Sequence, residues 1–122
     1  MLGSSLIPYL RGFEFDVFCL GRQSKCPGEI AVDFSSQQSL DAALDLCNPR
    51  LIINLAALTN VDECQNNPHL AYVANVQVVE GLSKWMLKRK KSHLIQISTD
   101  HIYDGLGPQN EKNINIVNFY GM

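Results

Sequence analysis

The chain has 122 residues, of which 46% are hydrophobic and 18% charged, and its formal net charge is -2. This composition is typical of a soluble domain that can bury a core, and it excludes an intrinsically disordered chain. The weak acidity argues against a nucleic-acid partner or an anionic membrane surface, and no apolar run reaches the roughly 20 residues that cross a bilayer.

The cysteines and the basic run have ordinary interpretations. Cys19, Cys26, Cys47 and Cys64 lack the close spacing of zinc or redox motifs, so we expect free thiols and no metal site. With no signal peptide in view, a reducing cytoplasm is the expected location. The basic run 88–91 falls where a helix should end, which favours solvent-facing cations over a binding patch.

The first half of the chain predicts a helix followed by two short strands. Residues 2–10 have the pattern of a helix in which Pro8 must lie near the first turns or produce a kink. The β-rich run 15–20 and the shorter run 30–32 follow. Asp33 comes directly after the second of these runs.

A second helix is predicted from residues spaced i, i+3, i+4 and i+7, which are Leu40, Ala43, Leu44 and Cys47. Ser39 is placed to cap its start, and Asn48 followed by Pro49 should end it. The next run, 51–55, is almost entirely apolar, as expected of a strand that is covered on both faces.

The second half predicts one long helix and a fourth strand. Asn67 as N-cap and Pro68 at the first position should begin the helix. Its buried stripe is predicted to contain Ala71, Ala74, Val78, Leu82 and Trp85. Residues 94–97 then form the fourth apolar run.

Strands that alternate with crossover helices predict an α/β fold, a Rossmann-like doubly wound parallel sheet. Because the pattern begins on a helix, we expect this sheet to lack its first, central strand and to leave backbone edges and apolar faces open. In such sheets ligands bind beyond the carboxyl ends of the strands. The residues that follow each strand therefore carry the functional information.

Candidate cofactor residues follow the first three strands. The planar guanidinium of Arg22 is suited to a 2′-phosphate, although a surface arginine is the more common interpretation. Asp33 is suited to an adenine amino group or, equally, to a turn. Ala56 and Ala57 permit close approach of a ring or ribose, and packing would explain them as well. Thr59 and Asp62 follow, without an evident helix or turn role.

Candidate catalytic residues follow the fourth strand and end the chain. The Thr99 hydroxyl is placed to hydrogen-bond a substrate carbonyl. His101 is a general acid or base by residue type, but a loop histidine is more often structural. Tyr120 could give a proton to a developing alkoxide if a cation lowered its pKa from about 10.

Four segments together resemble the extended short-chain dehydrogenase/reductases, and in particular the dTDP-4-dehydrorhamnose reductase branch. The matching segments are 54–62, 71–75, 98–105 and 118–121. They match the family patterns N-x-A-A-x-T-x-V-D, A-Y-x-x-N, S-T-D-Y-V-F-D-G and N-x-Y-G-x-x-K in that order. One of these alone would be weak, but four in order across the chain are specific.

The resemblance implies a cofactor site and a reaction. Gly3 resembles the last glycine of the phosphate loop, and Arg22 the position that favours NADPH over NADH. The adenine contact is implied for Asp33, and the wall beside the ribose for Ala56 and Ala57. A further set is implied to support and perform catalysis, namely Asn75 on a helix, Thr99 as the hydroxyl that polarises the ketone, and Tyr120 as the proton donor. The implied reaction reduces a dTDP-linked 4-keto-6-deoxy sugar.

Departures from the family concern the ends of the chain and one loop. The first strand, the first two glycines and the C-terminal substrate region are absent, and the family lysine would fall two residues beyond Met122. Residues 1–122 would then form a partial NAD(P)-binding Rossmann domain, an inactive fragment of a protein that could be a homodimer. His101 stands where the family usually has tyrosine. The alternatives are a nucleotide-sugar epimerase or dehydratase, and a non-catalytic subunit that keeps the fold for binding.

Overall fold

The β-structure consists of two separate pairs of parallel strands. The structure, a computed structural model, describes residues 2–23, 28–89, 92–105 and 107–122. Strand β1 (Cys19–Gly21) pairs with β2 (Glu29–Ala31), and β3 (Leu51–Asn54) pairs with β4 (His93–Gln96). No described strand lies between β1 and β3, which is the position of the first strand in a doubly wound sheet of order 3-2-1-4-5-6.

The strands agree with the apolar runs in the second pair and less well in the first. The bounds of β3 and β4 lie within one residue of the predicted ones, whereas the run 15–20 is a strand only from Cys19 onward. Phe15 and Phe18 are instead exposed, so the run was predicted too long. The register pairs Gly21 with Ala31, and the ladder continues through a hydrogen bond from the Val32 amide to the Gly21 carbonyl.

Helices connect and cover these strands. The bounds are α1 Leu2–Arg11, α2 Gln37–Cys47, α3 Val61–Asn66, α4 Pro68–Ala71 and α5 Val78–Arg89. A π-helical segment, Tyr72–Gln77, joins α4 to α5, and a single 3₁₀ turn spans Asp100–Ile102. Pro8 lies inside α1. No helix among the described residues is long and apolar enough to cross a membrane.

Two predicted helix starts need correction. Ser36, not Ser39, caps α2, and its hydroxyl oxygen accepts the Ser39 amide at 3.3 Å. The Ser39 hydroxyl accepts the Asp33 amide instead, because Ser39 already lies within the first helical turn. Asn67 does precede Pro68 at a helix start, but its side chain makes no capping hydrogen bond. The predicted end at Asn48 is confirmed by its left-handed backbone, with φ of 42°.

The predicted long helix is also interrupted. The chain enters it through α3, which the sequence pattern did not indicate, and the π-helical segment widens it before α5. The stripe nevertheless has the predicted phase, because Ala71, Val78, Leu82 and Trp85 are buried. Ala74, which lies in the π-helical segment, is half-buried.

A single apolar core joins the two strand pairs. Its buried members are Val32, Leu40, Ala43, Leu44, Val78, Leu82 and Trp85. Leu20 and Ile30 from the first strand pair contact this core, and so do Ile52 and Leu94 from the second. Helices α2 and α5 therefore form one layer that covers the same face of both pairs.

The opposite face of the second pair is partly open among the described residues. Successive side chains of a strand point to opposite faces, so Leu51 and Ile95 lie away from the core. They are 50% and 46% exposed. Ile53 and Leu55 of the run 51–55 lie on the same face as Leu51 and are half-buried, so the predicted cover on both faces is present only in part among the described residues.

Trp85 connects α5 to α2 through a polar contact as well as an apolar one. Its indole N–H donates to Asp45 Oδ1 at 2.7 Å, and the Arg89 guanidinium donates to the same oxygen at 2.6 Å. These two hydrogen bonds, the Trp85 bond first, lower the pKa of the Asp45 carboxyl below its ordinary value. Lys88 similarly pairs with Asp41 at 3.2 Å. Lys90 and Lys91, the rest of the basic run, lie outside the described residues.

Truncating Trp85 should unfold or strongly destabilise the chain. Trp85→Ala removes the largest fully buried side chain, and such changes cost about 3–5 kcal/mol. Leu87→Ala, on the same helix but 75% exposed, should change stability by less than about 0.5 kcal/mol. Urea denaturation followed by far-UV circular dichroism measures the stability of both variants. Tryptophan fluorescence is unsuitable because Trp85 is the only tryptophan and the first variant lacks it. Equal midpoints for the two variants would contradict the placement of the core.

The Asp45 contacts should make stability depend on pH. A carboxyl whose pKa is lowered by folding stabilises the fold above its unfolded value of 3.8, and this contribution is lost as the pH falls through the lower folded value. Asp45→Asn should therefore be less stable than wild type near neutral pH, and the difference should shrink below a pH of about 4. Asp16→Asn, in the exposed segment before β1, is the control. A pH-independent difference in urea midpoint would refute this prediction.

Candidate functional site

A cleft of about 500 Å³ opens beyond the carboxyl ends of β3 and β4. Five of the eight predicted site residues line it, namely Ala56, Ala57, Asn75, Thr99 and Tyr120. The remaining wall comes mainly from the helix that contains Val79 and Ser83 and from the residues at the end of β4. The cleft thus lies where a doubly wound fold binds its ligands.

A buried asparagine fixes the wall that follows β3. Asn54 is 6% exposed, and its amide N–H donates to Gln96 Oε1 on the neighbouring strand at 2.7 Å. Its carbonyl oxygen accepts the Ala56 amide at 3.1 Å. The N–H group and the carbonyl oxygen of Asn54 therefore both hold the turn that brings Ala56 and Ala57 to the cleft. Since the side chains of these two alanines are only methyl groups, they leave room for a flat ring.

A second asparagine holds the next part of this loop from the helix side. Asn75 Oδ1 accepts the Leu58 amide at 2.7 Å, and Asn75 Nδ2 donates to the Leu58 carbonyl at 3.1 Å. The amide and the carbonyl of Leu58 therefore both have hydrogen-bond partners, although this residue lies in an irregular segment without a strand or helix to provide them. Asn75 lies in the π-helical segment, a helix form that often marks functional sites.

Cys64, on α3, also holds the loop that contains Leu58. It is fully buried, and its thiol donates to the Leu58 carbonyl at 3.4 Å. Burial, with a smaller contribution from the charge of Glu63, raises the pKa of this thiol, so it remains protonated and can donate. Cys19 and Cys47 are also free thiols, and Cys26 lies outside the described residues.

Thr59 and Asp62 have structural positions after all. Asn60 caps α3, its Oδ1 accepting the Glu63 amide at 2.9 Å, and Asp62 lies in the first turn of that helix. A carboxylate there is favourable because it faces the positive end of the helix dipole. Thr59 is exposed and directly precedes the cap. The expectation that Asp62 lacks a helix role is therefore wrong, because α3 was not foreseen, whereas Thr59 lies outside the helix.

Thr99 begins the loop after β4 and is half-buried. Its hydroxyl oxygen accepts the His101 amide at 3.2 Å and so caps the 3₁₀ turn. Its proton is directed to Asp100 Oδ1 at 3.3 Å, a long and exposed hydrogen bond. A carbonyl group in the cleft could therefore accept a hydrogen bond from the Thr99 hydroxyl in place of Asp100, at a small cost in free energy.

Tyr120 is held by a turn that Asn118 organises. Asn118 Oδ1 accepts the amides of both Tyr120 and Gly121, at 3.1 and 2.9 Å. The Tyr120 ring packs edge-on against the His101 ring, with centroids 5.1 Å apart. Among the described residues, no lysine or arginine lines the cleft that Tyr120 faces.

The three other predicted site residues lie outside the cleft lining. Arg22 follows β1 and Asp33 follows β2, so the parallel register places them at the same edge of the first strand pair. Arg22 is exposed and forms no ion pair with a described residue. The Ser35 hydroxyl and amide donate to Asp33 and lower the pKa of its carboxyl. Asp33 is thus an acceptor held in a turn.

Gly3 lies in the first turn of α1, beside the residue that follows β3. A Cβ at this position would meet Leu55 Cδ1 at 3.5 Å, which is ordinary van der Waals contact. The contact between helix and strand is present, but it has room for a small side chain. Among the described residues, no three His, Cys, Asp or Glu side chains cluster as metal ligands would.

Sequence reasoning missed the residues that hold the loops. The family patterns contain Asn54 and Asn118 without indicating what they contact, and the cysteine spacing indicates only a free thiol for Cys64. The signal that could have found Asn54 is a polar residue within an otherwise apolar strand, because a buried amide needs partners. No sequence signal connects Asn118 to His101, 17 residues away.

Comparisons with known proteins agree with this geometry. The model of a family described as "RmlD substrate binding domain" matches residues 1–122. A dTDP-4-dehydrorhamnose reductase of Aggregatibacter actinomycetemcomitans is 30% identical over 86 residues, which cover 70% of this chain and 29% of that protein. The chain thus spans less than a third of the length of this curated relative.

Solved structures share the fold. A hypothetical dTDP-4-dehydrorhamnose reductase from Sulfolobus tokodaii matches with a TM-score of 0.83 and 30% identity, over 93% of this chain and 42% of its own. The Bacillus anthracis enzyme in complex with NADP matches at 0.67 and 27%, over 74% and 33%. A UDP-glucose 4-epimerase from Brucella ovis with NAD reaches 0.85 at 23%, over 99% and 40%, which shows the fold alone. The predicted Rossmann-like α/β fold is confirmed.

Removing the Asn75 amide should loosen the wall of the cleft. Asn75→Leu leaves the Leu58 amide without a partner and leaves the Leu58 carbonyl with only the long hydrogen bond from the Cys64 thiol, at a cost of about 1–3 kcal/mol. Asn75→Asp keeps the acceptor and loses the donor. The Leu58 amide should therefore stay protected from hydrogen exchange in Asn75→Asp and lose its protection in Asn75→Leu. Gln77→Leu, which removes one exposed hydrogen bond to the Ser35 carbonyl, is the matched control. Unchanged Leu58 protection in Asn75→Leu would rule out the interaction.

Proposed function

Because the chain belongs to the RmlD substrate-binding-domain family, we propose that it supplies part of a site at which NADPH reduces a nucleotide-linked 4-keto-6-deoxy sugar. The observation that carries the proposal is the meeting of Thr99 and Tyr120 in one cleft, next to the small side chains that follow β3. The named relatives are dTDP-4-dehydrorhamnose reductases, which favours a dTDP-linked sugar and a role in dTDP-rhamnose biosynthesis.

The cleft residues would divide the reaction between a polarising group and a proton donor. Thr99 would transfer its hydroxyl hydrogen bond from Asp100 to the ketone oxygen of the sugar. Tyr120 would then donate its phenolic proton to that oxygen as the alcohol forms. Bound beside Ala56 and Ala57, the reduced nicotinamide would supply the hydride for C4 of the sugar.

The adenosine end of the cofactor would lie on the other strand pair. Arg22 is free to pair with a 2′-phosphate, which is why NADPH is proposed and NADH is the alternative. Asp33 would accept from the adenine amino group with the oxygen that Ser35 leaves open. Gly3 would lie at the helix N-terminus near the pyrophosphate, where helix dipoles favour anions.

Turnover by these 122 residues alone is not part of the proposal. A phenol needs a nearby cation to become an effective donor near neutral pH, and the described cleft lining provides none. The 122-residue chain is therefore proposed to bind NADPH without reducing the sugar. We propose a cytoplasmic location, a nucleotide sugar as the small-molecule partner and a homodimer as the assembly of the full-length protein.

A non-catalytic subunit that keeps the fold for binding is the second candidate. An epimerase is a weaker candidate, because its support is a fold shared with solved UDP-glucose 4-epimerases that are at most 23% identical to this chain. A preference for NADPH over NADH would favour the reductase family over the epimerase.

Titration of the purified chain with NADPH and with NADH, followed by nucleotide fluorescence, tests the proposal. We expect NADPH to bind about tenfold more tightly, as one charge-assisted contact allows, and Arg22→Ala to abolish this preference. Arg50→Ala, at the amino end of β3, should leave both affinities unchanged. Absence of NADPH binding, or equal affinities in the wild-type chain, would reject the proposed cofactor site.

A further inference from the structure

We propose that His101 is a positioning residue that sets Tyr120 relative to Thr99, and that it does so as a neutral imidazole with its proton on Nε2. His101 contacts both predicted catalytic residues. Its amide donates to Thr99 Oγ1 at 3.2 Å, and its ring packs edge-on against Tyr120. The proposal rests on the proposed function only in naming Tyr120 as the proton donor.

The tautomer follows from Asn118. Asn118 Oδ1 accepts two backbone amides, so its orientation is fixed, because a reversed side chain would direct N–H groups at N–H groups. The amide nitrogen of Asn118 must then face His101 Nδ1, which lies 3.3 Å away. A nitrogen that faces a donor must be an acceptor, so the remaining ring proton lies on Nε2.

The backbone of His101 contributes a second constraint. Gly121 is buried, and a Cβ at this position would overlap the His101 carbonyl oxygen. The turn that carries Tyr120 therefore lies directly on the peptide of His101. Ring contact, Nδ1 acceptor and close backbone approach together fix the Tyr120 segment on the 3₁₀ turn that Thr99 caps.

Two substitutions separate the functions of the ring and of Nδ1. His101→Phe keeps a ring against Tyr120 and removes the acceptor, whereas His101→Asn keeps an acceptor near the Nδ1 position and removes the ring. We expect the Tyr120 and Gly121 amides to exchange about five- to tenfold faster in His101→Phe and at the wild-type rate in His101→Asn. The Tyr120 ring resonances should move in His101→Asn and much less in His101→Phe. His93→Phe, at the exposed start of β4, is the control.

Nitrogen NMR of the imidazoles at a pH of about 8 measures the tautomer directly. The chain has only three histidines, so their signals can be assigned one by one. We expect a bare Nδ1 in wild type. Asn118→Asp keeps the acceptor for both amides and loses the donor, so it should shift the His101 proton toward Nδ1. A wild-type proton on Nδ1, an Asn118→Asp spectrum like wild type, or unchanged amide exchange in His101→Phe would each overturn the proposal. None of these measurements requires NADPH, so they are independent of the cofactor titration.

Discussion

The packing of α2 against α5 is the interaction on which the rest of the described structure depends. The backbone hydrogen bonds of the strands run within the two pairs, and those described do not join one pair to the other. An isolated pair of strands that are each three or four residues long is not stable alone. The apolar layer around Leu40, Leu82 and Trp85, with the Asp45 hydrogen bond at its edge, therefore determines where one strand pair lies relative to the other.

This arrangement divides the proposed cofactor site between two bodies. Arg22 and Asp33 belong to the first strand pair, whereas Ala56 and Thr99 belong to the second. A dinucleotide that contacted both would bind only when the helix layer held them in register, and it would stabilise that layer in return.

The sequence was sufficient for elements whose cause is local. Strands β3 and β4 come from apolar runs, and the end of α2 comes from an asparagine that tolerates a left-handed backbone. The start of α2 was misplaced because three serines within five residues, 35–39, offer competing caps. The π-helical segment could not be foreseen, since Asn75 bonds a loop residue 17 positions away. Family motifs indicated which side chains matter, but not what they contact.

The loops around the cleft share one chemical solution. Asn54 holds the turn after β3, Asn75 holds Leu58, and Asn118 holds the turn that carries Tyr120. Each uses its carbonyl oxygen on backbone amides and its N–H group on a second partner, because a primary amide carries a donor and an acceptor side by side. Irregular backbone lacks both kinds of partner. An aspartate of the same shape could replace only half of each contact and would add a charge, so the amide itself is what the cleft requires.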